Sequence, residues 1–311
     1  MQRQGGRAKI GDAGEPFELT ASRVSDLDAR IVRIVAPNAG LFTFHGTNSY
    51  LVGRQTLAVI DPGPDDERHL ASLLAAIDGR PVTHIFITHT HRDHSPLARK
   101  LAAATGAICV GEGPHRYVGD VALRSGSVLD ASADLDFLPD LRVGDGQSVE
   151  CAEFAVTAIA TPGHAQNHMS YALDDTKVLF SGDHVMGWAT TIVAPPDGSM
   201  ESYIASLETL AVRKDKVFLP GHGGPITKPQ SHVRALKAHR LWREAAILER
   251  IRKGGRSLQD IVSEVYKATD PRLHGAAALT AMAHLQRLES LGAIAIEGPL
   301  GPDAIYTMAK P

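Results

Sequence analysis

The stretch that decides the fold is Val82-Thr83-His84-Ile85-Phe86-Ile87-Thr88-His89-Thr90-His91-Arg92-Asp93-His94. Its first seven residues are a short β-prone run. The six that follow hold four metal-binding side chains, His89, His91, Asp93 and His94. So dense a set converges only where a strand ends in a tight turn. In an extended segment residues i and i+2 share a face, so His89 and His91 address one ion. Asp93 and His94, beyond the bend, face a second. Neutral imidazole and carboxylate suit zinc, with iron and manganese also compatible.

Outward from this run, short strands and helices alternate. Strands are expected over 30–35, 48–52, 56–60, 82–88 and 107–110, and helices over 67–77 and 97–105. Strand, helix, strand, helix, strand is the order of an α/β sheet covered by helices. Further strands are read at 155–160, 169–173, 177–181 and 216–219. A helix at 200–210 has Ser199 placed to cap it. Three more candidate ligands stand at strand ends, each directly after a glycine: Gly163-His164, Gly182-Asp183 and Gly221-His222. Glycine lets the backbone turn sharply or approach closely there. The chain has 15 histidines, and several outside this constellation, His69, His115, His232 and His274, are read as surface scatter.

The character changes after Lys228. Helices are expected over 239–253, 258–267 (capped by Ser257) and 271–291. A two-stranded hairpin follows, with strands 293–296 and 304–308. Three helices and a hairpin is the order of a winged-helix module. Residues 1–20 are polar and Gly-rich with no apolar core, a loose tail and not a signal peptide. The division expected is a tail over 1–20, a catalytic domain over 21–230 and a winged-helix-like domain over 231–311.

Composition narrows the field. With two cysteines, Cys109 and Cys151, the chain has neither a disulfide framework nor a Cys-rich zinc site. No apolar run approaches the roughly 20 residues of a membrane span. A cytoplasmic protein is expected. A formal net charge of -3 gives no overall nucleic-acid signature, so such a partner needs a local patch. One candidate is the cation-rich segment 228–256, with Lys228, Arg234, Lys237, Arg240, Arg243, Arg250, Arg252, Lys253 and Arg256 against Glu244 and Glu249.

The run with its three partners resembles the signature of the metallo-β-lactamase superfamily. That resemblance implies a four-layered αβ/βα sandwich, an α/β fold, with the metals at one edge between two sheets. It also implies two Zn2+ ions. His89, His91 and His164 would hold one; Asp93, His94 and His222 would hold the other; Asp183 would bridge them. Asp61, in Asp61-Pro62-Gly63-Pro64, would support the site from behind a ligand. A closer similarity is to the branch named β-lactamase-like protein 2, which has a small C-terminal winged-helix-like domain. It is carried by Gly46-Thr47-Asn48-Ser49-Tyr50, Ser181-Gly182-Asp183, Pro220-Gly221-His222-Gly223 and His239-Arg240-x-x-Arg243-Glu244. His184 departs from the branch, which more often has a small residue or Cys there; it is read as a solvent-facing rim residue.

The resemblance implies a binuclear zinc hydrolase that uses a metal-activated hydroxide, which Asp93 also helps to orient. Antibiotic hydrolysis is set aside, because the commonest zinc lactamases have a Cys ligand where this chain has Asp183. A dioxygenase is set aside because Asp93 and His94 are both present. Cleavage of single-stranded RNA stands first, supported by segment 228–256. Thioester hydrolysis of the glyoxalase II kind is the alternative, with a small-molecule ester or thioester as substrate. A winged-helix regulator is the least favoured reading, since the third helix is mostly Ala and Leu; a homodimer contact suits that face better. The loop 185–199 is expected to overhang the site.

Overall fold

A computed structural model describes residues 22–23, 28–118, 132–254 and 257–310; the expected tail over 1–20 lies outside them. Two β-sheets face each other. The first has seven strands in sequential order, β1 (Ser22–Arg23), β2 (Ile31–Val35), β3 (Asn48–Gly53), β4 (Leu57–Ile60), β5 (Val82–Phe86), β6 (Ile108–Gly111) and β7 (Leu141–Arg142). β1 to β4 pair antiparallel and β4 to β7 parallel. The second has five, in the order β12 (Val217–Pro220), β11 (Val178–Gly182), β10 (Met169–Leu173), β9 (Ala155–Ala160) and β8 (Ser148–Glu150).

The inner faces bury Tyr50, Val52, Ile60 and Phe86 against Val156, Tyr171, Phe180 and Leu219. Strands buried on both faces read as continuous apolar runs, and β4 (Leu-Ala-Val-Ile) is buried at every residue. Outside the first sheet, α1 (Glu67–Ile77) and α2 (Ala98–Thr105) contribute Leu73, Ile77, Ala98 and Leu101 to a second core. Outside the second, α3 (Met200–Ala211) and α4 (Pro229–Arg252) supply Tyr203, Leu207, Val233 and Leu236 to a third. Helix, sheet, sheet and helix are the four layers. Asp66 caps α1 by accepting from the Arg68 and His69 amides, and Ser199 caps α3 as expected.

Past residue 257, α5 (Leu258–Val265), a 3-10 turn at Pro271–Leu273, α6 (His274–Ser290) and the hairpin β13 (Ile294–Glu297) and β14 (Ile305–Met308) enclose a fourth core. That core includes Ile247 and Ile251 from the end of α4. The long helix therefore belongs to two cores. It also starts at Pro229, ten residues before the expected 239. Proline at the first helical position lacks only an amide that has no partner there. The mixed polar sequence before 239 hid that start. Among the described residues no helix is long and apolar enough to cross a membrane.

Strand direction places the candidate ligands. β4 and β5 run parallel. β9 and β11 each pair antiparallel with β10, and β12 is parallel to β11. Asp61, His89, His164, Asp183 and His222 each follow the carboxyl end of one of these five strands. All five therefore emerge at one edge of the sandwich.

Candidate metal centre

The structure brings all seven candidate ligands together. His91 Nδ1 lies 3.0 Å from His89 Nε2 and 3.0 Å from His164 Nε2. His222 Nε2 lies 3.1 Å from Asp93 Oδ2, and His94 Nε2 lies 3.4 Å from that same oxygen. Asp183 stands between the two groups. Its Oδ2 is 3.3 Å from His222 Nε2 and 3.8 Å from His164 Nε2, and its Oδ1 is 3.5 Å from His94 Nε2. Three sets have donor atoms within 4.8 Å of one another: His89-His91-His164, His89-His94-Asp183 and Asp93-His94-His222.

Each imidazole is oriented from behind. Thr88 Oγ1 sits 3.0 Å from His89 Nδ1. Asp61 Oδ2 is 2.9 Å from His94 Nδ1 and also accepts from the Thr88 hydroxyl at 2.7 Å, while its Oδ1 accepts from the Thr88 amide. His164 Nδ1 donates to the Ile192 carbonyl at 2.6 Å, and His222 Nδ1 donates to that of Gly46 at 3.2 Å. Fixing one ring nitrogen aims the other at the centre, where the neutral ring offers a lone pair to a cation. Asp61 fills the supporting position that the resemblance implies, in a left-handed conformation (φ 48°) that aspartate tolerates better than most residues.

Close approach explains Gly221. A Cβ there would stand 2.4 Å from Asp183 Oδ1 and 2.7 Å from His94 Cε1. At Gly163 (φ 142°) a Cβ would meet the Tyr203 backbone at 2.4 Å. The segment 46–50 ties the first sheet to the turn that carries His222. Asn48 Nδ2 and Tyr50 Oη both donate to the Pro220 carbonyl. Thr47 Oγ1 is 3.3 Å from Asp93 Oδ2.

Electrostatics divide the set. Burial, then the neighbouring imidazoles, hold His89 well below the usual histidine range, and the same causes lower His164 to about 4. Burial also opposes the charge on His94 and His222. Asp93, Asp183 and Asp61 outweigh it at His94, which is held well above the usual range; Asp183 and Asp93 raise His222 to about 10. Asp93 and Asp183 are held well below the carboxylate range, against burial, by His94 and His222. His94 Nε2 and Asp183 Oδ1 are buried without a hydrogen-bond partner. Such atoms are rare in a folded interior, and both face the cluster. A cluster of imidazole and carboxylate groups with unpartnered polar atoms aimed into it fits divalent cations.

The metallo-beta-lactamase superfamily pattern matches residues 42–222. The chain belongs to that superfamily. It is a metal-dependent hydrolase, and the beta-lactamase associated winged helix domain matches residues 257–298. A beta-lactamase-like protein 2 homolog from Drosophila melanogaster is 28% identical over 285 residues, 88% of this chain and 92% of the relative. An atrochrysone carboxyl ACP thioesterase from Pseudocercospora fijiensis is 27% identical over 252 residues, 78% of this chain and 69% of the relative. A thioesterase from Emericella nidulans is 29% identical, and the chain spans 57% of its length. Among solved structures, a beta-lactamase domain protein from Burkholderia ambifaria has the same fold at a TM-score of 0.74, with 20% identity and 90% and 91% of the two chains covered.

Several residues behave otherwise than the sequence suggests. His184 is not at a solvent-facing rim. It is fully buried, its ring 4.5 Å from that of Tyr203 and 5.8 Å from that of His168. His69 and His115 are not surface scatter. His69 is buried with Nε2 2.9 Å from Ser49 Oγ, and His115 Nδ1 lies 2.9 Å from Thr90 Oγ1 beside the ligand run. Over residues 228–254 the cation-rich segment is not a continuous cationic face, because Arg240 is 3% exposed and Arg243 turns in against Tyr266; Arg256 lies outside the described residues. Sequence reasoning missed Asp197, whose Oδ2 is 2.5 Å from His91 Nε2. It also missed His168, whose Nε2 accepts from the Asp183 amide at 3.2 Å. Both signals were present: Pro195-Pro196-Asp197-Gly198 is an acid in a Pro/Gly turn, as Asp61 is, and His168 directly precedes β10.

Proposed function

We propose that this hydrolase cleaves thioesters that carry an apolar acyl group, at a centre of two divalent ions, zinc foremost. His89, His91 and His164 would hold one ion, and Asp93, His94 and His222 the other, with Asp183 between them. Cations held there would supply a water of lowered pKa and polarise the carbonyl under attack. The chain's own residues do the rest. Asp93 is the most open of the acids at 27% side-chain exposure, against 9% for Asp183. It therefore faces incoming substrate and, as a carboxylate, can accept a hydrogen bond from the attacking water and orient it.

One observation carries the choice of substrate. An aromatic rim borders the ligand-bearing turns, with Trp188 packed against Gly223, the residue after His222. The Phe44 and Trp188 rings stack at 4.8 Å and 13°, and Leu41 and Phe42 stand exposed beside them, Phe42 at 51%. This rim adjoins Gly46 and Thr47, which touch His222 and Asp93. An exposed apolar surface at a site mouth suits an acyl chain better than a phosphate backbone. The thioesterase names of the fungal relatives support the same reading. Cleavage of single-stranded RNA has less to stand on, since Arg240 and Arg243 point inward and Lys237 pairs with Glu208.

The test is direct. Zinc-loaded protein is given an aromatic acyl thioester, its oxygen-ester analogue and single-stranded RNA in parallel. Release of thiol at a rate that a chelator abolishes supports the reading. RNA cleavage without thioester turnover overturns it.

A further inference from the structure

The segment His239-Arg240-x-x-Arg243-Glu244 lies on α4, far from the ligand run in sequence, and metal chemistry alone does not account for it. Arg240 is 3% exposed. A buried guanidinium is costly unless its donors are used. Among the described residues no carboxylate pairs with Arg240. Its partners are the carbonyl of Thr191, to which an Nη donates, and the face of Tyr203, 5.2 Å from the guanidinium carbon. Both partners lead to the metal centre. The Ile192 carbonyl, one residue after Thr191, accepts from His164 Nδ1 at 2.6 Å, and Thr191 Oγ1 lies 3.1 Å from the same nitrogen. Tyr203 donates to the carbonyl of His184, the residue after Asp183, at 3.1 Å, and its backbone packs against Gly163, the residue before His164.

We infer that Arg240 is a positioning residue for His164: it pins the Thr191-Ile192 backbone that fixes this ligand's tautomer and direction. A loop carbonyl 2.6 Å from a ligating imidazole sets the ring only if the loop itself is held. Arg240 holds it from the helix that also forms part of the C-terminal core. The neighbouring motif residues secure that helix. Glu244 pairs with Arg287 and lies 3.1 Å from His284 Nδ1, both on α6. Arg243 donates to the Val265 carbonyl of α5. The contact to the metal centre is Arg240's alone, made on the rim loop, residues 185–199.

The inference rests on His164 being a metal ligand. Full-length protein is stripped of metal and titrated with Co2+, whose visible absorption reports each ion as it binds. Arg240→Met is expected to weaken uptake of one ion by about 10- to 100-fold and leave the other unchanged. Arg243→Met, which loosens the same helix without touching the rim loop, is expected to bind both as the unsubstituted protein does. A folded Arg240→Met that binds both ions normally overturns the inference. So does an equal loss in Arg243→Met, which would make the effect a general loosening. Should Arg240→Met not fold, Arg240→Lys decides. One ammonium cannot both lie on Tyr203 and hold Thr191, so weakened uptake of one ion supports the inference and normal uptake of both overturns it. His164→Ala separates the two readings: normal uptake of both ions in that variant removes His164 from the metal centre, and this inference with it.

Discussion

His91 Nε2 lies 2.5 Å from Asp197 Oδ2, a contact that joins the ligand run to the rim loop across 106 residues of sequence. Burial opposes a charge on His91, and Asp197 more than offsets it, holding His91 above the usual range. A carboxylate on the outer nitrogen makes the inner one a better donor and fixes its direction. Asp197→Ala is therefore expected to lower affinity for one ion by about 10- to 100-fold. Asp197→Asn, which keeps an acceptor oxygen, should lose less. Metal content after equilibrium dialysis checks both, and normal content in Asp197→Ala would refute the role.

Gly221→Ala probes crowding at the centre. The added methyl would fall 2.4 Å from Asp183 Oδ1 and 2.7 Å from His94 Cε1, well inside contact distance. Either Asp183 or the β12 turn must move, and a displacement near 1 Å costs a catalytic geometry on the order of 100-fold. The expectation is a folded protein with unchanged far-UV circular dichroism, at most one tightly held ion, and hydrolysis down about 100-fold. Unimpaired metal binding would mean that the strand end yields more easily than its packing suggests.

The ligand set was readable because its chemistry is local. Residues 89–94 carry four donors in six positions, and His164, Asp183 and His222 each follow a glycine at a strand end. The alternation of strands and helices up to Val110 was equally plain, since β4 is a buried apolar run and Tyr50-Leu51-Val52 and Ile85-Phe86 give its neighbours apolar stretches. What stayed hidden depends on long-range packing. Asp197 gains meaning only once the rim loop folds back over His91. Arg240 looks like one more cation on a helix until its neighbours Thr191 and Tyr203 are in place. The short strands β7 and β8 carry too few apolar residues to announce themselves. His184 was misread because an imidazole in sequence gives no sign of whether Tyr203 will cover it.

Burial of His69 should make stability pH-dependent. Burial lowers this imidazole to about 4, against 6.5 for an ordinary histidine. The unfolded chain thus binds the extra proton first. Stability from this group is full above about pH 6.5 and is lost as pH falls through 4. The melting temperature of metal-free protein is expected to fall across that window. His69→Gln, which keeps a polar group toward Ser49, should flatten the slope and recover about 5 °C at pH 4.5 relative to the parent's own loss. Parallel pH profiles for the two proteins would show that His69 contributes nothing to the acid limb.

Metal uptake should release protons, because His222 is raised to about 10 in the metal-free centre. At pH 7 it carries a proton on the face that a cation must occupy, as does His94. A group of raised pKa favours the metal-free fold at low pH and loses that contribution as pH climbs through 10. Binding of an ion to neutral imidazole runs the other way and strengthens with pH. Two titrating imidazoles predict release of one to two protons per ion on the Asp93-His94-His222 side, and fewer on the other, where His89 and His164 are already held neutral and only His91 is raised. Calorimetry of zinc binding in two buffers of different ionisation enthalpy measures the number directly. Affinity for the weaker ion should then drop by about tenfold or more per pH unit between pH 8 and 6, since each displaced proton contributes a factor of ten per unit. A proton count near zero for both ions would mean that neither His94 nor His222 meets the metal as a cation, and would undo the electrostatic division of the centre.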